Sequence, residues 1–446
     1  MNPSSAPSAA RPEAAATPRK SSRRAATASL VGTTIEYYDF MLYGLTAALV
    51  FPRVFFPEQS PLVGALLSFA TFGIGFLARP LGGIVFGHFG DRVGRKKMLI
   101  ITLIGMGVCT FFMGLIPGHD AIGDAAPVIL IVLRFVQGFM VGGEWGGATL
   151  MAVEHAPAGK KGLYGTFAQM GAPSGVTLAS LVFMLSSMLP DTAYYAWGWR
   201  VPFLFSIVLV VVGLVIRAKV AESPEFAASL KNQEVVKVPF VEAWRTQWKQ
   251  ILLTAGVYLG QGVMAYVALT YLVSYASTTA HIDRTITLLG VAIASALCAS
   301  LHPVFGSLSD RIGRKTVYMI GSVLLLASIV PAFMLVNTGT NLGFILAIVL
   351  VQGVSMPFVS AVTGPLITTL FPSNLRYTGS SVGYTIAQIV GPAFAPMIAT
   401  AIFGATGQWT AVAWYLAAMC LISIVCVIAL GGAWGIKEAK QQLAED

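Results

Sequence analysis

Two stretches most constrain what this chain can fold into. From Thr316 to Leu375, and again from Tyr377 to Ile436, the chain runs without a single Asp, Glu, Lys or Arg. Soluble domains carry about 25% charged residues throughout, and their helices keep a polar face toward water. Each run is long enough for two membrane crossings of ~20 residues and a short turn. The rest of the chain agrees: it is 56% hydrophobic and 11% charged, with a mean hydropathy of +0.76. The reading is an all-α membrane protein, since helices satisfy their backbone groups within lipid.

A second feature sets the architecture. Gly87-His88-Phe89-Gly90-Asp91-Arg92-Val93-Gly94-Arg95-Lys96-Lys97 is a charged island between apolar runs, and Gly306-Ser307-Leu308-Ser309-Asp310-Arg311-Ile312-Gly313-Arg314-Lys315 repeats its Asp-Arg-x-Gly-Arg-Lys core. Thr166-x-Ala168-Gln169-x-x-x-Pro173 recurs in register as Thr385-x-Ala387-Gln388-x-x-x-Pro392. One half is therefore written twice, and parallel repeats in an apolar chain mark secondary transporters. The expected architecture is 12 transmembrane helices in two six-helix bundles. The segments are a disordered basic tail over 1–25, a first bundle over 26–220, a cytoplasmic linker over 221–248, a second bundle over 249–435 and a tail over 436–446. The expected spans are 27–51, 61–88, 97–117, 127–154, 162–188, 199–220, 250–279, 285–307, 316–336, 342–371, 376–403 and 409–433. Within the islands, the glycines are expected to end one helix, and Asp91 to cap or charge the N-terminus of the next.

The formal net charge of +9 does not point to nucleic acid, because its distribution follows the membrane. With the N-terminus in the cytoplasm, 23 of the 28 Lys and Arg residues fall in the tails or in alternate loops. Arg53, Arg200 and Arg284 fall in the opposite loops, and Arg79 and Arg134 inside spans. This is the positive-inside pattern and places both termini in the cytoplasm of a bacterial-type inner membrane. Cys109, Cys298, Cys420 and Cys426 all lie in apolar runs, so no disulfide framework is expected.

Gly-x-x-x-Asp-Arg-x-Gly-Arg-Lys in both halves resembles the loop motif of the major facilitator superfamily. Arg79-Pro80-Leu81-Gly82-Gly83, Phe86-Gly87-His88-Phe89-Gly90-Asp91-Arg92 and Gly142-Gly143-Glu144-Trp145-Gly146-Gly147 resemble the metabolite:proton symporter family, which carries shikimate, 2-oxoglutarate, citrate and zwitterionic osmolytes. The resemblance covers roughly residues 27 to 435 and is denser in the first half. It implies alternating access between two rocking bundles. It implies that Asp91, Arg92, Asp310 and Arg311 gate the cytoplasmic side, and that Arg134 interacts with an acid of the first span during proton coupling.

The residues support the same chemistry. Charges inside spans are expensive and default to function, and here they are few: Glu36, Asp39, Arg79, Arg134 and Glu144, all in the first half. Glu36, Asp39 and Tyr43 share a helix face, as do Arg134, Gln137 and Glu144, with Trp145 adjacent. The expectation is that these faces meet in one central cavity, with Asp39 paired to Arg134, and Arg79 to Glu36 or Glu144. Three acids against two permanent cations leave one acid able to load and release a proton near neutrality. The proton-coupling candidates are Glu36, Asp39, Arg134 and Glu144. The substrate candidates are Arg79, Arg134, Gln137, Tyr43, Trp145, Gln261, Tyr384 and Gln388. No cofactor or metal is expected, the proton being the coupling ion, and the chain is expected to act as a monomer in the bilayer. The substrate is a small organic acid or, alternatively, a zwitterion; a proton-independent facilitator would share the fold. An enzyme would need a clustered catalytic set, and an ATP-driven pump a Gly-x-x-x-x-Gly-Lys-Ser/Thr loop; the sequence has neither.

Overall fold

The computed structural model describes residues 19–93, 95–142, 161–218, 239–368, 370–371 and 376–430, with no strand among them. Ten of its helices are long and apolar enough to cross a membrane, and the shorter apolar Ala125–Val141 and the helix Arg19–Leu49 bring the number to twelve among the described residues. In order they are α1 (Arg19–Leu49), α2 (Pro61–Val93), α3 (Arg95–Leu115), α4 (Ala125–Val141), α5 (Lys161–Ser187), α6 (Val201–Ala218), α7 (Pro239–Tyr266 and Leu272–Thr278, joined by a π segment), α8 (Arg284–Ile312), α9 (Arg314–Val336), α10 (Asn341–Ile348 and Met356–Thr368, joined by a π segment), α11 (Arg376–Val390 and Ala395–Thr406) and α12 (Trp409–Ala429). Their outer faces carry large exposed apolar side chains such as Leu185, Trp414 and Val425, as a lipid-facing surface requires.

Packing repeats as the sequence does. In the first half α1 packs on α5, α2 on α4 and α3 on α6; in the second α7 packs on α11, α8 on α10 and α9 on α12. The halves meet where α5 lies along α8, α1 touches α7, and α2 touches α11. In the first half, small residues bring α2 and α4 together: a Cβ on Gly138 would stand 2.0 Å from the carbonyl oxygen of Gly75, and one on Gly82 would stand 1.7 Å from that of Phe139. Only glycine permits this approach, and it is what lays Arg134 of α4 against α2.

The charged islands differ from expectation. Gly87 and Gly90 do not end a helix, since α2 runs on to Val93. The backbone of Asp91 therefore belongs to that helix. In the second copy α8 likewise continues through Asp310 and Arg311, and the turn is made by Gly313 alone, whose φ of +88° is open to glycine. A charged residue in a last helical turn still has every intrahelical donor met, whereas the turn needs a backbone that only the glycine supplies.

Departures from regular helix gather where the halves face each other. α7 contains the π segment Val267–Tyr271 and α10 the π segment Val349–Ser355. Such segments shift the side chains after them and favour functional sites. α11 is interrupted at Gly391-Pro392, while its repeat partner α5 continues through Pro173. In the described part of the linker region a helix begins at Pro239 and kinks at Gln247 before entering the bundle.

One end of the inter-half seam is clamped. Arg284, the first residue of α8, donates to Asp191 Oδ1 at 2.6 Å and to the carbonyl oxygens of Ser187 and Leu189, both at 3.1 Å. Its guanidinium also lies over the Tyr194 ring at 4.0 Å. These partners sit at and beyond the C-terminus of α5, where a cation meets orphan carbonyls.

Candidate functional site

Between the halves lies a cavity of about 80 Å³. At ~10–15 Å³ per water in this measure, it has room for roughly five to eight waters, the size of a small metabolite. α1 contributes Tyr37 and Met41, a turn apart, and α5 contributes Gln169 and Pro173. The second half contributes more: Tyr258, Gln261 and Tyr266 from α7, His302 from α8, Gln352, Ser360 and Thr363 from α10, and Tyr384 from α11. Among the described residues no Asp, Glu, Lys or Arg lines it. Its polar groups are phenols, amides, hydroxyls and one imidazole, set among apolar side chains such as Met41, Val176, Leu269 and Met356.

These groups are held by one another. Thr363 donates to Gln261 Oε1 at 2.5 Å, and Gln388 donates to the Tyr384 hydroxyl at 2.7 Å from one turn behind it. Tyr258 and Tyr384 meet edge to face at 4.6 Å. Tyr37 reaches across from the first half to hydrogen-bond Tyr384. Gln261 and Tyr384 thus stand in the cavity wall, as expected, and Gln388 positions one of them.

The charged residues are arranged differently from the expectation of one shared hollow. Arg134 is completely buried. It donates to Gln137 Oε1 at 2.6 Å and to the Phe72 carbonyl at 3.4 Å. Gln137 passes the chain on to Thr110 of α3 at 2.7 Å. The guanidinium lies over the rings of Phe40 and Tyr43, at 4.2 Å and 4.1 Å. Tyr43 donates to Thr71 at 2.7 Å. Phe40, Phe72 and Phe76 pack on Tyr266, and this aromatic layer stands between Arg134 and the cavity. Arg134, Gln137 and Tyr43 are therefore a hub joining α1, α2, α3 and α4, not cavity lining.

Asp39 is also fully buried, but it turns toward α3, where a Cβ on Gly107 would lie 3.9 Å from its Oδ2. Arg134 takes Gln137 and the Phe72 carbonyl as hydrogen-bond partners rather than the expected Asp39, while Arg284–Asp191 and His119–Asp124 are ion pairs among the described residues. The reason is helix rotation. Residues 37 and 41 of α1 face the cavity, which sends residue 39 to the opposite side. Arg79 is nearer the cavity: it lies over Phe40 at 4.4 Å and Phe76 at 4.7 Å and acts electrostatically on Tyr37, Tyr258, Tyr266 and Tyr384. Glu36 acts on Tyr37 and Tyr266 from the same side. Glu144 and Trp145 lie outside the described residues, as do the side chains of Asp91 and Arg92. Asp310 and Arg311 are exposed at the end of α8.

Sequence reasoning missed Gln169, Tyr37, Ser360 and Thr363 and gave His302 no role. Gln169 carried a signal, being the repeat partner of Gln388. His302 carried one too, as the single His inside a span of the second half. Ser360 and Thr363 carried none, since a hydroxyl in a span ordinarily bonds its own helix.

Comparison with known proteins follows this geometry. A family described as "Sugar (and other) transporter" matches residues 25–432. The chain is 41% identical to the shikimate transporter of Escherichia coli (strain K12) over 91% of its own length and 94% of that protein. It is 33% identical to the proline/betaine transporter of the same strain, over 95% of its own length and 88% of that protein. Its fold matches the crystal structure of a D-xylose-proton symporter with a TM-score of 0.72, over 91% of this chain and 97% of that one, at 17% identity.

Proposed function

The chain belongs to the sugar (and other) transporter family of the major facilitator superfamily, and on that premise we propose that it carries a small organic acid of the shikimate type together with a proton, by alternating access. It is a multi-pass membrane transporter and not an enzyme. The observation that carries the finer reading is the cavity between the halves. Its polar lining groups are uncharged and stand among apolar side chains, while Arg79 and Glu36 act on its Tyr37 and Tyr266. Hydroxyls and amides suit a hydroxylated ring, tyrosine faces suit its apolar edge, and one nearby guanidinium suits a single carboxylate. A di- or tricarboxylate would leave further negative charge without a cation.

The energetics separate this from a facilitator. A monoanion entering with one proton moves no net charge. Its accumulation then follows the pH gradient alone, about tenfold for each ~1.36 kcal/mol, which is one pH unit. In proteoliposomes holding the purified chain, an acid exterior is expected to concentrate labelled shikimate about tenfold per unit, and a protonophore to abolish this. Uptake that ignores the protonophore removes the proton from the mechanism. A zwitterion carrier is the second reading, favoured by the tyrosines around the cavity, whose ring faces attract cations. Labelled betaine in the same vesicles tests it, and would also respond to membrane potential.

Placing both termini in the cytoplasm, as the basic loops require, makes the Arg284 clamp external. It then holds this conformation shut on the outside. Charge-assisted hydrogen bonds are worth ~1.5–3 kcal/mol each, so Arg284→Ala is expected to raise the outward-open population by roughly tenfold or more. The check is thiol labelling of a single cysteine introduced at the external end of the cavity. Unchanged labelling would show that the clamp does not bias the equilibrium.

A further inference from the structure

We propose that His302 and Gln352, with Ser360 beside them, form a subsite that reads a hydroxyl group of the substrate and so sets which ring acids the carrier accepts. This rests on the cavity being the substrate site. His302 is completely buried, and its Nδ1 lies 2.7 Å from the carbonyl oxygen of Cys298, one helical turn back. A carbonyl only accepts, so Nδ1 carries the proton of the neutral ring and Nε2 presents a lone pair. Nε2 stands 3.1 Å from Ser360 Oγ, which also reaches the Met356 carbonyl at 3.0 Å. Serine has one proton for these two acceptors and satisfies one at a time.

Gln352 provides the second, independent observation. It is 4% exposed, sits in the π segment of α10, lines the same cavity, and its Oε1 is buried without a hydrogen-bond partner. A buried acceptor in this position asks for a donor. α8 packs along that π segment, so imidazole and amide belong to one wall. Two acceptors on one wall repel a carboxylate and turn it toward Arg79 in the first half. A quaternary ammonium has no N–H to offer them. A hydroxyl donates, and its oxygen can also accept from Ser360 when that serine turns from Met356. The matching ligand is therefore a ring with hydroxyls at one end and one carboxylate at the other.

The test uses the purified full-length chain in proteoliposomes, with labelled shikimate as probe and cyclohex-1-ene-1-carboxylate, the same ring acid without hydroxyls, as competitor. The wild type is expected to prefer shikimate by at least ~100-fold, because a site built for hydroxyls rejects their absence. His302→Leu and Gln352→Met are each expected to raise the KM for shikimate about tenfold, leave kcat within about twofold, and leave inhibition by the ring acid unchanged. His302→Gln, which keeps an acceptor, is expected to recover most of the loss. If His302→Leu does not fold, Gln352→Met, a near-isosteric change, carries the same test. Variants that weaken both compounds equally, or neither, overturn the proposal. A wild type that recognises neither compound overturns the reading of the cavity, and this subsite with it.

Discussion

Asparagine in place of Asp39 is expected to abolish uphill accumulation while leaving exchange intact. Asp39 is the acid buried on the face of α1 opposite its cavity-lining residues Tyr37 and Met41. It faces α3 beside Gly107, in a helix that also touches α7 of the other half. Gaining or losing a proton there changes the charge that α1 presents to α3, and α1 is one of the helices that must move when the halves rock. Asparagine keeps the shape and the neutral form's hydrogen bonding but cannot exchange a proton. Under a one-unit pH gradient, accumulation is expected to fall from about tenfold to none, with counterflow of labelled against unlabelled substrate within about twofold of wild type. The pH dependence of exchange should flatten as well. Accumulation that persists in Asp39→Asn clears this residue and passes the role to Glu36, for which Glu36→Gln is the matching variant.

Arg134→Lys is expected to reduce uptake by at least ~100-fold, a larger loss than the charge-conserving change suggests. The guanidinium has three separate engagements: Gln137, the Phe72 carbonyl, and the flanking rings of Phe40 and Tyr43. A planar fork meets all of them at once, and a lysine ammonium cannot. Cation–π contacts away from water are worth up to ~2 kcal/mol each, and a buried charge-assisted hydrogen bond ~1.5–3 kcal/mol. Losing two such terms misplaces α1 against α2 and α4. Uptake and the thermal midpoint of the detergent-solubilised variant are measured together. A shared fall supports the hub, whereas wild-type uptake would show that guanidinium geometry is not required. Gln137→Leu, which breaks the link to Thr110 but leaves the arginine in place, is expected to lie between the two.

The place of Arg134 shows how far a sequence can be read. Its nearest partner, Gln137, stands three residues along the same helix, so helical spacing alone brought the two together. Its other partners come from α1 and α2, distant in the chain, and nothing local singles them out. Asp39 teaches the converse. Spacing placed it on a face with Glu36 and Tyr43 but could not say which way that face turned. The glycine seam between α2 and α4, the aromatic layer of Phe40, Phe72, Phe76 and Tyr266, and the pull of Tyr37 toward Tyr384 decide the rotation. The cavity wall was the least readable part. Most of its polar groups are tyrosine, glutamine, serine and threonine in the second half, residue types that elsewhere in a membrane bundle only join helices.

By itself, the chain's composition and internal repeat determined a membrane-spanning, all-helical, twofold-written transporter. Hydropathy and register are properties of local stretches, and lipid tolerates few alternatives. Tertiary structure alone decided that Arg134 is a structural hub, that Asp39 and the cavity lie on opposite sides of α1, and that His302 and Gln352 share a wall. Those outcomes depend on the rotation of each helix about its own axis. Non-local packing sets that angle, and a one-residue change in which face turns inward swings a side chain by about 100°.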